Sequence, residues 1–394
     1  MIKYQKNGKE KESSKMNTAF RNDLDFENGR KFYCGEVCVV DLKGSFFQMG
    51  RQYGALMRKE LEKVYRFASA NKSGYKYRNA LGGSGTSVCG FRKYDEFFRG
   101  MSETSFLSVD QLLTVNAVEV IYLDLVSSGM RSMFDASRCS SLAVNGALTE
   151  HGKSVIGRNY DWIPEFKEIA DTLVLTVLHP SDGSNAVASF NWAGCLYMTT
   201  GMNSAGIYLG LNSGMFADGN VCSDRIHNVW MLWEMLWNCS DLETVKRCFN
   251  TTRSAAGYLI MAATSRETEC FQWHTKGMWF SAPRSGNGDL LAAANHFASP
   301  EWKNDPLASD DTIASSVRRR ENLLMQAQKY AKISVEEMKE ILSVPYSEGG
   351  AKVNGTMFQI AVDVECQDWY IRTCLMNDWA YIPLSVLLTS ESAK

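Results

Sequence analysis

Two rhythms of hydrophobic and polar residues follow one another along the chain, and the change between them falls near residue 139. Before that position, apolar residues recur at intervals of three and four, which is the period of an amphipathic helix. A strand is expected over 36–43, and a long helix then begins at Ser45. A second helix is predicted over 108–126, with Ser108 as its N-cap.

After residue 139, short apolar runs alternate with turns rich in Gly, Asn, Asp and Ser, a pattern typical of strands. The predicted strands cover 139–145, 154–159, 172–178, 186–192, 206–211, 258–264, 290–295, 357–363 and 369–375. The predicted helices cover 225–237, 242–249, 311–330 and 335–342. Runs of strands between runs of helices favour an α+β protein, in which helices cover two packed sheets.

The same patterns divide the chain into three parts. Residues 1–30 are polar and rich in Lys, so they are predicted to be a disordered tail. Residues 31–138 form an N-terminal helical segment, and residues 139–394 form the sheet-rich core. A Gly/Ser-rich stretch over 81–90 lacks the spacing of a phosphate-binding loop and is interpreted as a flexible loop.

Composition and charge narrow the classes of function. Of the 394 residues, 45% are hydrophobic and 22% are charged, which supports a deep core. The formal net charge is -2 with both signs interspersed, so nucleic acid is not an expected partner. The polar start has no apolar signal region and no stretch reaches about 18 apolar residues, so we expect a cytoplasmic protein without a membrane span. The composition leaves a homo-oligomer open.

Cys139 stands out among eleven cysteines. The cysteines are scattered without paired or zinc-ligand spacing, so they are expected to be reduced thiols, and neither a metal nor a cofactor is predicted. Most free cysteines are buried as small hydrophobic residues. Cys139 differs because a hairpin of the strands 139–145 and 154–159 would return Arg158 and Asp161 toward its thiol.

A cysteine nucleophile needs a base or a cation, because a thiol of pKa about 8.5 is mostly protonated at pH 7. None of the five histidines, at positions 151, 179, 227, 274 and 296, lies in a motif typical of Cys-His proteases. A second base becomes available if the peptide bond before Cys139 is cut, because a free α-amino group has a pKa of about 8. Two mechanisms therefore stay open: an uncut Cys-His hydrolase, and a cysteine that uses its own amine.

Several motifs occur in a fixed order from Cys139 onward. They are Cys139-Ser140-Ser141, the run Gly157 to Trp162, the run Gly201 to Ile207 with Gly210-Leu211-Asn212, and Asn295-His296-Phe297. Together they resemble N-terminal-nucleophile hydrolases, and in particular the peptidase C45 group typified by isopenicillin-N acyltransferase, which is related to the choloylglycine hydrolases. The resemblance covers residues 36–375.

The resemblance implies a four-layer αββα fold, with two packed antiparallel sheets flanked by helices. It also implies a zymogen that cuts itself between Arg138 and Cys139, although a trypsin-like protease could also cleave after this arginine. The product would be an amidase that hydrolyses a linear C-N amide bond of a small molecule through a Cys139 thioester. The alternatives are an acyltransferase that passes the acyl group to an amine, and a non-catalytic protein that binds a small amide.

Two residues of the predicted hairpin receive roles from the resemblance. Asp161 would orient the nucleophile or its amine, and Arg158 would be the cation near the thiolate. Residues three apart point to opposite faces of a flat strand, so a bulge or a strand end at Asn159 is expected if both are to reach Cys139.

Three further residues match positions of the family's active site. Asn212 and Asn295 would stabilise the oxyanion of the tetrahedral intermediate. Arg319 would be an active-site arginine, with the register open within the triplet 318–320. If the family resemblance is set aside, an Asn after Gly-Leu is typically a turn residue and an Arg triplet on a helix is typically solvated.

Two other features concern the residue after the nucleophile and a stripe of tryptophans. Ser140 follows the nucleophile where many family members have Thr, a change that keeps the hydroxyl and loses a methyl group. Trp230, Trp233 and Trp237 form one stripe of a predicted helix. We interpret this stripe as core rather than as the lining of an acyl pocket.

Overall fold

Two β-sheets pack face to face in the computed structural model, and helices cover their outer faces. The structure describes residues 21–70, 91–119, 139–150, 152–214, 217–220, 222, 224–303 and 310–389. The strands of these parts are β1 Arg21–Phe26, β2 Gly29–Cys34, β3 Val37–Gly44, β4 Ser140–Gly146, β5 Gly152–Asp161, β6 Leu173–Pro180, β7 Val187–Trp192, β8 Thr200–Asn203, β9 Tyr208–Ser213, β10 Tyr258–Ala263, β11 Thr268–Trp273, β12 Trp279–Ser281, β13 Leu290–Ala293, β14 Thr356–Asp363, β15 Asp368–Thr373 and β16 Ala380–Pro383. The helices are α1 Phe46–Leu56, α2 Arg58–Ser69, α3 Arg92–Ser105, α4 Val109–Asn116, α5 Asn228–Asn238, α6 Leu242–Thr251, α7 Asp310–Ala327, α8 Val335–Ser343 and α9 Leu384–Leu388.

The larger sheet has ten strands in the order β1-β2-β3-β6-β7-β8-β9-β10-β11-β12. The smaller sheet has six, in the order β13-β4-β5-β14-β15-β16, and all its neighbours are antiparallel. In the larger sheet one pair is parallel, β3 with β6. The expectation of two antiparallel sheets is therefore wrong at this pair. A parallel pair needs a long crossover, and here the chain passes through several helices and the strands β4 and β5 of the smaller sheet between the two strands.

Two cores hold the layers together. Between the sheets, Phe190 meets Phe358 edge-on at 4.9 Å between ring centroids, and Tyr208 meets Trp369 at 6.1 Å. On the outer face of the smaller sheet, buried residues of β4 and β5 pack with α7 and α8 in a separate apolar cluster. Helix α1 covers the larger sheet. The order helix, sheet, sheet, helix confirms the predicted α+β architecture.

The predicted elements after residue 139 are all present, with ends that differ by a few residues. The predicted N-cap Ser108 is confirmed, and Ser45, where the long helix is predicted to begin, is also an N-cap: each serine forms a capping box with the glutamine three residues later. The long helix from Ser45 is interrupted at Met57, where α1 passes to α2. Residues 120–126 of the second predicted helix, and the predicted loop over 81–90, lie outside the described residues.

Helix α3 is absent from the predictions, yet it makes the closest helix contact of α1. A Cβ atom on Gly50 would lie 2.1 Å from the carbonyl oxygen of Phe97, and one on Gly100 would lie 2.1 Å from that of Phe47. Both glycines are therefore required by the close approach of the two backbones. The sequence pattern also omits β11 and the short strands β8, β12 and β16, because few residues repeat the alternation there.

The predicted disordered tail of residues 1–30 is wrong over 21–30, where β1 pairs with β2 across a turn at Glu27. Phe32 and Cys34 of β2 are buried, and the charged residues Arg30 and Lys31 directly before them hide the strand pattern. Residues 1–20 lie outside the described part. The strand predicted over 36–43 is confirmed as β3, which pairs with β6 inside the larger sheet.

The tryptophan stripe of α5 belongs to the core, as predicted. Trp230, Trp233 and Trp237 are 0%, 3% and 1% exposed, and Trp237 meets Phe46 edge-on at 5.5 Å. None of the helices in the described ranges is both long and apolar enough to cross a membrane.

Candidate active site

Cys139 lies directly before β4, at the start of a central strand of the smaller sheet, and is 4% exposed. Strands β4 and β5 form the predicted hairpin, with Ser141 opposite Arg158. The hairpin returns the guanidinium of Arg158 to the thiol, with 3.8 Å between Nη2 and Sγ. The predicted approach of Arg158 to Cys139 is therefore present.

Arg158 connects the two sheets. Its Nη1 donates to Oδ1 of Asn212 in β9 at 2.6 Å, and its Nη2 donates to the carbonyl oxygen of Leu211. Its guanidinium carbon lies 5.4 Å from the centre of the Tyr160 ring. The side chain is fully buried, so these contacts hold its positive charge in place beside Cys139.

Asp161 is the last residue of β5, and its Oδ1 accepts a hydrogen bond of 2.6 Å from Oγ1 of Thr356. The backbone of Asp161 also hydrogen-bonds the Cys139 thiol. The predicted irregularity at Asn159 is wrong, because β5 pairs regularly through that residue. The irregularity lies in the partner strand instead, where the register shifts at Met357, and β5 ends two residues later than expected.

Asn212 lies in β9, across the gap between the sheets from Cys139. Its Oδ1 accepts from Arg158 and, at 3.1 Å, from the hydroxyl of Ser141. Its Nδ2 donates to the carbonyl oxygen of Ala293 at 3.3 Å. The side chain is thus fixed by one residue from each of three strands and is not a solvated turn residue.

Asn295 follows β13, and its Nδ2 donates to the carbonyl oxygen of Ser213 at 2.8 Å. Its Oδ1 accepts from Arg319 at 3.0 Å, and its backbone N–H donates to Ser316 Oγ at 2.9 Å. Within the described part of the chain, the amide NH₂ groups of Asn212 and Asn295 each use one hydrogen in this way. Each can therefore offer a second N–H to a developing oxyanion.

Arg319 is the member of the arginine triplet that reaches the site. It is fully buried in α7, and its Nη1 donates to the carbonyl oxygen of Cys139 at 2.9 Å. Arg318 is exposed, whereas Arg320 bonds the carbonyl oxygens of Ala292 and Pro283. A solvated triplet is thus the wrong interpretation for Arg319, because one side of α7 packs on the smaller sheet.

The thiol of Cys139 is not ionised by its surroundings alone. Burial raises its pKa, and the nearby charge of Arg158 opposes that rise only in part. The four histidines of the described ranges interact elsewhere: His179 with Asp41, His227 with Tyr258, His296 with Ser316, and His274 with Phe280. An uncut Cys-His hydrolase has no partner for Cys139 among these four, while His151 lies outside the described residues.

Sequence reasoning missed Glu119, a buried carboxyl group close to the site. It accepts hydrogen bonds from the hydroxyls of Tyr160 and Tyr197 and, at 2.9 Å, from Nε1 of Trp192. Burial raises its pKa. Within the predicted apolar helix 108–126, a single Glu is typical of a solvated face, so its sequence context did not indicate burial.

Thr356 is a second missed residue, and its hydroxyl can be tested with a matched pair of variants. Thr356→Val keeps the shape but loses the hydrogen bond to Asp161 and the one accepted from the Val353 N–H, so we expect the free energy of unfolding to fall by about 1.5–3 kcal/mol. Thr356→Ser keeps the hydroxyl and should lose less. Urea unfolding of both variants measures the difference. Equal stabilities for Val and Ser would show that these hydrogen bonds contribute nothing.

The αββα layers, with a cysteine at the start of a central strand, define the N-terminal-nucleophile hydrolase class. The family model described as acyl-coenzyme A:6-aminopenicillanic acid acyl-transferase matches residues 148–378, which is more than half of the chain. The chain belongs to this family, and the resemblance drawn from its motifs is confirmed. The match includes five of the six predicted site residues and begins after Cys139.

Solved structures show more distant likenesses. An N-acylethanolamine-hydrolyzing acid amidase ortholog from Caenorhabditis elegans is 14% identical, with 57% of this chain and 93% of that chain covered and a TM-score of 0.41. A mutant conjugated bile acid hydrolase from Clostridium perfringens is 13% identical, with 64% and 95% covered and a TM-score of 0.43. Penicillin V acylase from Agrobacterium tumefaciens is 11% identical, with 64% and 89% covered and a TM-score of 0.37. No curated protein sequence matches the chain significantly.

Proposed function

We propose that this protein is a cysteine amidohydrolase that cleaves a linear C-N amide bond through a thioester on Cys139. The observation that carries the proposal is the set of groups that meet at this residue. Arg158 approaches its sulfur from β5, and Arg319 donates to its carbonyl oxygen from α7. Asn212 and Asn295 are each hydrogen-bonded to one of these arginines. Two cations and two amides at one buried thiol favour acyl chemistry over a structural cysteine.

The proposal includes a cut between Arg138, which lies outside the described residues, and Cys139. In this step the Cys139 thiol attacks the carbonyl carbon of Arg138, the C-N bond breaks, and the acyl group moves from nitrogen to sulfur. Water then hydrolyses the thioester, which frees the carboxylate of Arg138 and the α-amino group of Cys139. The cut supplies the base that the site otherwise lacks, because a free α-amino group has a pKa of about 8.

Turnover of a substrate amide would repeat the same chemistry on a second carbonyl. The α-amino group of Cys139 takes the thiol proton, and the thiolate attacks the amide carbon while Arg158 stabilises its charge. The second N–H groups of Asn212 and Asn295 would stabilise the oxyanion, at about 3 kcal/mol for each such donor. The protonated amine then gives its proton to the leaving nitrogen, and water releases the acyl group from Cys139 as a free acid.

Acyl transfer is the second candidate, and the description of the matching family favours it. The two reactions share every step up to the thioester and differ only in whether water or an amine attacks it. Incubation with an acyl-amino acid, a penicillin, a bile salt and an acylethanolamide, each with and without an added amine, distinguishes them by mass spectrometry. Hydrolysis yields the free acid in both conditions, whereas transfer yields a new amide when the amine is present.

The same experiment tests whether the protein is an enzyme at all. During turnover we expect a mass increase equal to the acyl group on the peptide that contains Cys139, and its loss after hydroxylamine, which cleaves thioesters. Binding of these amides without products and without a Cys139 adduct would contradict the proposal and favour a non-catalytic member of the family.

Thiol labelling must be mapped by residue, because Cys248 is expected to compete. Its sulfur lies 3.8 Å from that of Cys239, and this hydrogen bond lowers the pKa of Cys248. Cys366 is exposed as a residue, but partial burial of its thiol raises the pKa of that thiol. At pH 7, iodoacetamide should therefore label Cys248 faster than Cys366.

The Cys239→Ala variant is the control for this prediction. It removes the neighbouring thiol, so labelling of Cys248 at pH 7 should slow toward the rate of Cys366. Peptide mapping after timed exposure measures both rates. An unchanged rate at Cys248 in the variant would show that the sulfur contact does not set its reactivity.

A further inference from the structure

A cavity of about 360 Å³ lies beside the proposed site but is lined by a different kind of residue. Thr356 lines it, and the hydroxyl of Thr356 bonds Asp161, so one side chain separates the cavity from the site. The remaining wall comes from the 3₁₀ turn after β5, the loop before β14, β14 itself, the end of β15 and the turn that follows it. It carries three cations, Lys167, Lys352 and Arg372.

The charges of this wall are unbalanced. No carboxylate is among the residues that line the cavity, and none of its three cations forms an ion pair within the described ranges. Burial and the charge of Arg372 lower the pKa of Lys352. Burial also lowers the pKa of Arg372, and Asp378 offsets this only in part. Like charges that are partly buried together are costly unless a counter-charge joins them.

The guanidinium of Arg372 is held in position rather than free to turn away. Arg372 donates from Nε to Gln359 Oε1 at 3.0 Å and from Nη2 to Ser343 Oγ at 2.8 Å, and its guanidinium stacks 4.8 Å over the Trp379 ring. These contacts leave its Nη1 without a hydrogen-bond acceptor in the described part of the protein. A guanidinium fixed in this way is suited to an anion.

The two lysines differ from each other in their contacts. Lys167 donates to Oδ1 of Asn354 at 3.3 Å, and Asn354 also lines the cavity. Lys352 is half-buried, and its ammonium makes no hydrogen bond to a described residue. Asn377 adds a further side-chain amide to the wall. The wall thus combines fixed donors, an unused ammonium and a volume typical of small-molecule sites.

We propose that this cavity binds a small anion of the carboxylate or phosphate class, with Lys352 and Arg372 as its main contacts. The inference goes beyond the amidase proposal and does not depend on it, because no step requires Cys139 to react. Thr356 lines the cavity and also hydrogen-bonds Asp161. A bound anion would therefore lie one side chain from Asp161, where it can change the position of that carboxylate in the proposed active site.

Thermal unfolding of the full chain in inorganic phosphate or in acetate, each matched in ionic strength with sodium chloride, tests the proposal. A ligand that binds only the folded state raises Tm in a saturable way. We expect such a rise with at least one of the two anions, and the anion that produces it identifies the class. A rise no larger than that in sodium chloride for both anions would overturn the proposal.

Three variants make the test specific to the cavity. Lys352→Gln and Arg372→Gln should each raise the half-saturating anion concentration by about tenfold or more. Lys59→Gln makes the same change of charge at an exposed position outside the cavity and should leave it unchanged. Cys139→Ala should respond like the wild type even if the amidase proposal fails. Wild-type responses from both cavity variants would also overturn the proposal.

Discussion

The Cys139→Ala variant is expected to fold and to lose all turnover of amide substrates. The thiol is the nucleophile in this account, and removal of a nucleophile typically reduces kcat by about 10⁴-fold or more. The structural cost should be small by comparison, because the change removes a single sulfur atom from the gap between the sheets. Measurement of kcat/KM on the best substrate, together with Tm, separates the two effects.

Two further variants make this result interpretable. Cys139→Ser replaces the thiol beside Arg158 with a hydroxyl, a much less acidic nucleophile, so turnover should be slow rather than absent. Cys270→Ala removes another fully buried thiol, in β11, and should reduce stability while kcat stays near that of the wild type. Wild-type turnover by Cys139→Ala would contradict the assignment of the nucleophile.

The Arg319→Met variant is expected to lower kcat/KM by about 10²-fold or more. Arg319 bonds both the carbonyl oxygen of Cys139 and Oδ1 of Asn295, so its loss frees the nucleophile's backbone and one oxyanion donor together. A loss of 10²-fold corresponds to about 2.7 kcal/mol of transition-state stabilisation. Steady-state kinetics on purified, folded protein measures it.

The neighbouring residue provides a matched control for this effect. Arg318→Met makes the same chemical change one position earlier in α7, but that side chain is exposed. We expect its kcat/KM to stay within about twofold of the wild type, because exposed surface substitutions have small effects. Equal losses in the two variants would show that the charge of the helix, rather than the contacts of Arg319, supports activity.

Much of this fold could be predicted because its strands and helices repeat a simple pattern. The hairpin of β4 and β5 is an example, since two short apolar runs joined by a turn bring Arg158 to Cys139 without any long-range information. The parallel pair β3 and β6 could not be predicted in the same way. It depends on how distant parts of the chain cross, which local periodicity does not record.

The geometry at Asp161 shows the same limit within the candidate site. Sequence spacing indicates that Arg158 and Asp161 cannot share one face of a flat strand. It does not indicate which strand carries the irregularity. The register of the β5–β14 pairing shifts at Met357 in β14, far along the chain. Glu119 was missed for a related reason, because its partners Tyr160 and Tyr197 reach it only through tertiary packing.

Arg319 illustrates how structure resolves what a motif leaves open. Three consecutive arginines on a helix point in three directions about 100° apart, so only Arg319 reaches Cys139, while Arg320 bonds Ala292 at the edge of the sheet and Arg318 is exposed. The triplet can be read from the sequence, but the rotation of α7 about its axis cannot be predicted from it. That rotation follows from the apolar contacts of α7 and α8 with the smaller sheet.

The central claim is that the bond before Cys139 is cut to free the nucleophile's own amine, and the intact mass of freshly purified protein tests it most directly. Denaturing mass spectrometry should find one fragment that ends at Arg138 and one that starts at Cys139, with Cys139→Ala uncut. Native conditions should keep the fragments together, because β3 lies inside the larger sheet. A wild-type chain that stays whole, and that iodoacetamide does not label at Cys139, would contradict the account.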